Sequence, residues 1–201
     1  MIARPFKGES NNFVRTYDRK DFGIKPPGAT ILSHLSENGF TTFGVGKISD
    51  LFGEEFLNSC THTEGDEDGL NQLVSLLEAP MYDFYFINLV DLDMLYGHRE
   101  DPEGYYNGLK LIDSGLERLI KHLNDDDLLI ITGDHGTDPT DGKTDHSREY
   151  VPLVAFKNNI ESNNIGDRNS FADISSTICN FFSIPDIFAD GNSFYEKIVN
   201  K

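Results

Sequence analysis

The 201 residues predict an α/β fold: a layered, mostly parallel sheet flanked by helices. Apolar strand-like runs alternate with helical ones along the chain, the pattern of a layered α/β protein. Two of the runs, residues 84–90 and 128–131, are almost unbroken in apolar side chains, which suits strands covered on both faces. Each is followed closely by Asp and His, at the strand end where open α/β sheets bind their ligands.

Residues 1–28 gather Arg4, Lys7, Arg15, Arg19 and Lys20 with Phe6, Phe13 and Phe22, without a helical or strand period, and read as a connecting segment. Pro26-Pro27-Gly28 ends it, and residues 30–38 place Ile31, Leu32 and Leu35 on one helical face before Gly39 closes the helix. Residues 41–45 make a short strand. The charge run Glu64-Gly65-Asp66-Glu67-Asp68 reads as an acidic first helical turn on solvent. Leu70, Leu73, Val74 and Leu77 then keep an amphipathic period as far as Pro80. The strand at 84–90 delivers Asp91 and Asp93 to its end. The longest helix is marked by Leu109, Ile112, Leu116, Leu119, Ile120 and Leu123, and the strand at 128–131 delivers Asp134 and His135. A polar loop leads to a strand at 151–156, whose Pro152 belongs near a strand start or on an edge. Residues 157–169 make a surface connection, and Phe171, Ile174, Ile178, Phe181 and Phe182 give a last apolar-faced helix.

With 17 basic and 34 acidic residues the formal charge is −17, which disfavours a nucleic-acid surface and an anionic membrane face alike. No apolar run approaches the roughly 20 residues that span a bilayer, and the first residues lack the apolar stretch of a signal peptide, so a cytoplasmic location is expected. Cys60 and Cys179 lie far apart with no C-x-x-C pattern, so neither a disulfide framework nor a thiolate zinc site is indicated.

The chemistry gathers in two clusters. The first holds Asp91, Asp93 and His98; the second holds Asp134 and His135 and continues to Asp145-His146. One Asp-His pair is an ordinary capped loop, and His34, His62 and His122 sit where surface or core-edge residues do. Convergence of carboxylates and imidazoles at two successive strand ends is less ordinary, and without thiolates it suits Mn, Fe, Zn or Mg. Asp93 and His98 stand five apart, natural for a loop that bends back towards an ion, while Asp134 and His135 in a turn can reach one ion or two neighbouring ones. Val45-Gly46-Lys47 is not a P-loop, because Thr41 stands where the first Gly belongs and Ile48 follows the Lys.

Read together, Asn88-Leu89-Val90-Asp91-x-Asp93-x-Leu95-Tyr96-Gly97-His98-Arg99-x-Asp101-Pro102, Thr132-x-Asp134-His135-Gly136 and Thr144-Asp145-His146-x-Arg148-Glu149-Tyr150-Val151-Pro152 resemble the phosphopentomutases of the alkaline phosphatase superfamily. The likeness extends upstream through Asn12-Phe13-Val14-Arg15-Thr16 and Val45-Gly46-Lys47-Ile48-Ser49-Asp50 and downstream to Phe171-Ala172-Asp173-Ile174. It implies an alkaline-phosphatase-like core and two manganese ions, one held by Asp93, His98 and His146 and the other by Asp134 and His135. It further implies that Lys47 faces the substrate phosphate, and that the reaction interconverts ribose (or deoxyribose) 1-phosphate and 5-phosphate through a phosphorylated Thr.

The family begins with a strand that bears another metal-binding Asp, then the nucleophilic Thr and a cap domain, whereas this chain opens where the cap returns to the core. On that resemblance residues 1–28 are the return linker and 29–201 the C-terminal part of an incomplete core. No catalytic nucleophile is assigned, and the isolated chain is expected to be inactive. Pairing with a separate N-terminal half along a bare sheet edge is the expected partnership. A metal-dependent phosphoglycerate mutase and a non-catalytic fragment or subunit are the competing readings.

Overall fold

Strand propensity and burial coincide at Thr42–Val45, and the rest of the first compact unit is arranged around that strand. The computed structural model describes every residue except Met1, Arg19, Phe22, Asn200 and Lys201, so two members of the N-terminal basic and aromatic group lie outside it. The chain forms two compact units, Met1–His122 with Asp134–Val151, and Leu123–Gly133 with Pro152–Lys201.

In the first unit, residues expected to be irregular form two short antiparallel pairs. Strand β1 (Ile2–Ala3) pairs with β4 (Lys20–Asp21), and β2 (Phe6–Glu9) forms a hairpin with β3 (Asn12–Arg15). Phe6 and Phe13 meet edge to face at 5.1 Å but remain 64% and 60% exposed, which is why no inside-outside alternation marks the hairpin in the sequence. Helix α1 (Ile31–Glu37) is capped by Thr30, whose hydroxyl accepts from Ser33 N at 3.2 Å, and Gly39 at φ +86° follows its end. His34, expected at the surface or core edge, is buried on this helix, because it shares the face of Ile31 and Leu35.

Strand β5 (Thr42–Val45) is the middle of a parallel sheet between β6 (Ser59–Thr61) and β7 (Phe84–Ile87). All four residues of β5 are buried. Those of β7 are only half-buried, because among the described residues β7 has a strand partner on one side alone. Helices α2 (Ile48–Phe52), α3 (Asp66–Glu78) and α4 (Pro102–Ile120) complete this unit. Leu32, Leu35, Val45, Ile48, Leu70 and Leu119 are its fully buried apolar side chains, each contributing about 2 kcal/mol by leaving water. Helix α4 starts well before its first periodic apolar residue, because Asp101 caps it through Gly104 N at 2.9 Å and Pro102 takes the first turn.

The second unit pairs β8 (Leu129–Thr132) with β9 (Leu153–Phe156), antiparallel and not parallel as the apolar run suggested. No helix lies in the connection at 133–152, so the covering element of a parallel crossover is missing, and Val154 is 51% exposed. Helices α5 (Ala172–Phe181) and α6 (Tyr195–Val199) follow, with Cys179 and Phe194 buried. The half-buried Arg168 donates from Nε to Oδ2 of the buried Asp173 at 2.7 Å and fixes this end of the unit, Asp173 Oδ1 also accepting from Asn192 N at 2.8 Å. No helix among the described residues is long and apolar enough to cross a membrane.

Candidate metal centre

Every residue expected at the metal site lies in the first unit, on two limbs. The carboxylate limb leaves β7 and turns at once. Val90 N and Asp91 N donate to Asp66 Oδ1 at 2.6 and 2.9 Å, and Asp66 N donates back to Asp91 Oδ2 at 2.8 Å. The chain then makes a wide π-helical turn, Leu92–Tyr96, followed by a tight 3-10 turn, Gly97–Arg99. A π turn brings residues five apart to one side, so the spacing of Asp93 and His98 that is awkward on an α-helix is accommodated without a loop. The Arg99 guanidinium donates to the Met94 carbonyl and closes the turn.

The charge run does form an acidic first turn with Glu64 and Glu67 exposed, but Asp66 departs from the solvent-exposed reading, since it is only 3% exposed. Burial pushes its carboxyl up to about 6, against the opposing pull of the Asp91 and Val90 N–H bonds and of Lys47. The phenol of Tyr17 is also raised, first by burial and then by the nearby Asp91 charge.

The imidazole limb, residues 134–151, is irregular. An isolated antiparallel bridge joins Gly136 to Ser147, with Ser147 N donating to Gly136 O at 3.0 Å, and this draws His135 and His146 together. Their rings stack with centroids 3.6 Å apart, and His98 stacks on His146 at 5.1 Å. Gly136 has to be glycine, because a Cβ there would stand 2.9 Å from both Glu149 N and Glu149 O.

The limbs meet at Asp93. Its Oδ1 lies 3.2 Å from His98 Nε2 and 3.3 Å from His146 Nε2, and ligand atoms of Asp93, His135 and His146 all fall within 4.8 Å of one another. Asp134 stands at the rim, its side chain 69% exposed and its Oδ1 3.6 Å from His135 Nε2. His98 Nδ1 donates to Thr144 O at 2.5 Å and His135 Nδ1 to Gly136 O at 3.1 Å, which leaves Nε2 of each ring as the atom open to a metal. Asp93 Oδ1 is buried and has no hydrogen bond. A buried carboxylate oxygen without a hydrogen bond calls for a cation beside it, and a metal shared with the imidazole nitrogens supplies one. Separations of 3.2–3.3 Å also match the spacing of neighbouring ligands on an ion with bonds of about 2.0–2.1 Å, which is ~3 Å in octahedral and ~3.3 Å in tetrahedral geometry. These donors therefore fit a divalent metal.

A family model of the metalloenzyme superfamily matches residues 42–186, which contain both limbs. The chain belongs to this superfamily. It is similar to the phosphopentomutase of Carboxydothermus hydrogenoformans, 47% identical over 98% of this chain and 51% of that protein. It is also similar to the phosphopentomutase of Acetivibrio thermocellus, 44% identical over 99% of this chain and 51% of that one. The chain spans about half the length of the curated relatives it matches. Among solved structures, a Leishmania mexicana phosphoglycerate mutase superposes with a TM-score of 0.60 at 17% identity, over 80% of this chain and 38% of that one, which shows the shared α/β fold. Membership of the superfamily and the Asp-His group together suggest a metal centre.

Lys47 lies at the start of α2 after β5 and lines a cleft with Tyr17, Gly46, His62, Thr63 and Met94. Sequence reasoning missed Asp66 and the Thr144 carbonyl. A buried carboxylate at a helix start reads as a solvated one until its partner 25 residues on is known, and a backbone acceptor leaves no residue-type signal.

Proposed function

We propose that the chain is the metal-binding portion of a phosphopentomutase, a phosphomutase that interconverts ribose or deoxyribose 1-phosphate and 5-phosphate. Asp93, His98 and His146 would hold one manganese ion, and Asp134 and His135 would contribute to a second. The observation that carries the reading is the convergence of His98 and His146 Nε2 on the unbonded, buried Asp93 Oδ1, in a chain 47% identical to a phosphopentomutase. When bound, a pair of such ions polarises the phosphoryl group and stabilises the attacking and leaving oxygens.

The side chains of this chain orient and neutralise. Asp93 supplies the central negative charge, and the Thr144 and Gly136 carbonyls hold the His98 and His135 rings in the tautomer that presents Nε2. Lys47 is assigned to the substrate phosphate, as a compact cation beside the cleft that Met94, next to Asp93, also lines. No Thr of this chain is assigned as the phosphoryl acceptor. Pairing with a polypeptide that supplies the remaining half of the relatives' length belongs to the same proposal, with a pentose phosphate as substrate.

Calorimetric titration with Mn²⁺ tests the metal assignment. We expect one tight ion per chain and a weaker second, with the His98→Ala, His146→Ala double variant losing the tight one by about a hundredfold or more. Unchanged affinity in that variant would sink the assignment.

A further inference from the structure

Asp66 is 25 residues from Asp91 and belongs to another element, the first turn of α3, yet its carboxylate serves the segment that carries Asp93. Oδ1 accepts from two successive backbone N–H groups, Val90 and Asp91, which leave the end of β7 without a ladder partner. The reciprocal bond from Asp66 N to Asp91 Oδ2 makes three bonds between the two segments. Gly65 lets them approach: its φ is +114°, and a Cβ there would stand 2.8 Å from Asp91 Oδ2. The Val90 peptide held in this way also starts the π turn, since its carbonyl accepts from Met94 N at 2.8 Å, and Asp93 lies within that span. A carboxylate kept 97% from solvent would lose much of its hydration for nothing if its only task were to begin a surface helix.

We infer that Asp66 is a positioning residue for the metal centre, fixing the Val90–Asp91 peptides and through them the place of Asp93. The inference rests on the metal reading for its consequence, but its structural content is separable from it. A buried Asn at 66 keeps the acceptor oxygen and an Ala does not, so the two substitutions divide the role.

The test uses the full chain and two measurements: backbone amide hydrogen exchange without metal, and Mn²⁺ affinity by calorimetry. Asp66→Ala is expected to speed exchange at Val90, Asp91 and Met94 by about tenfold or more while Thr42–Val45 stays protected, and to weaken Mn²⁺ binding by about tenfold. Asp66→Asn should restore both to within about threefold of the parent. Leu35→Ala, a core truncation elsewhere, should lower Tm without moving Mn²⁺ affinity. If Asp66→Ala does not fold, Gly65→Ala strains the same contact and should show the same local signature. Uniform acceleration of exchange across the unit, no acceleration at 90–94, or an Asn variant as impaired as Ala would each overturn the inference. A parent chain that binds no Mn²⁺ would refute the metal reading, while the exchange pattern would still decide the role of Asp66.

Discussion

The two limbs of the candidate metal centre are built differently. The carboxylate limb has Val90 buried and Asp93 largely so, is held by three bonds to Asp66 and its backbone, and leads through Glu100 and Asp101 into helix α4. The imidazole limb has no helix and no strand: one bridge between Gly136 and Ser147, short polar turns such as Thr140 N to Asp138 Oδ1 at 2.8 Å, and the Thr144 carbonyl bonded to His98. One limb places its ligand through the fold; the other relies on the bridge and on what the ligands themselves bind. Metal affinity should therefore depend on one bridge in the second limb and on the lock at Asp66 in the first.

The sharpest way to break that contrast is at the bridge. In Gly136→Ala the new methyl meets Glu149 backbone at 2.9 Å and the Ser147 carbonyl at 3.1 Å, atoms that cannot swing aside as a side-chain end can. The bridge should open, separating His135 from His146, with about 2 kcal/mol lost in urea denaturation and Mn²⁺ affinity lowered by about tenfold. An Ala variant with parental Mn²⁺ affinity would show that the bridge does not set the spacing of the two rings.

A smaller effect probes the first limb through pH. Burial raises the Asp66 carboxyl from 3.8 to about 6, so the folded chain holds this proton more tightly than the unfolded one. The associated stability is fully present below pH 3.8 and is lost as pH rises through about 6. Asn at 66 does not titrate. With EDTA present, the stability of Asp66→Asn relative to the parent should therefore increase by about 1.4 kcal/mol between pH 5 and pH 8, read from urea midpoints. A difference independent of pH would show that Asp66 is not appreciably desolvated.

How much of this was legible in the sequence follows the same division. Apolar period and caps marked α1, β5, α3 and α5, because burial of one face is written in residue types. The hairpin of residues 6–15 was not legible, since its Phe and Val side chains stay exposed, and β6 was not, since its three residues Ser59-Cys60-Thr61 are half-buried and of mixed character. The residue types Asp93, His98, Asp134, His135 and His146 were legible as a candidate donor set. Their arrangement was not: the structure groups Asp93 with His135 and His146, brings His98 to Asp93 from the 3-10 turn that follows the π turn, and leaves Asp134 at the rim. That grouping depends on a turn type and a single bridge, and neither has a periodic signature. Asp66 was misread for a related reason, since a charge beside other charges looks solvated until a distant peptide is seen to cover it.

The smallest effect isolates helix entry from ligand placement on the first limb. Asp101 lies three residues after His98 and caps α4 through Gly104 N, so Asp101→Ala should cost about 1 kcal/mol in stability. The π turn before it is closed independently, by Arg99 donating to the Met94 carbonyl and by Met94 N on the Val90 carbonyl, with Asp66 holding its start. The cap supports the helix and not the ligand, so Mn²⁺ affinity should stay within about threefold of the parent. Stability and affinity falling together in Asp101→Ala would mean that α4 and the turn move as one body. The fixity of Asp93 would then come from the helix behind it, and not from the lock at Asp66.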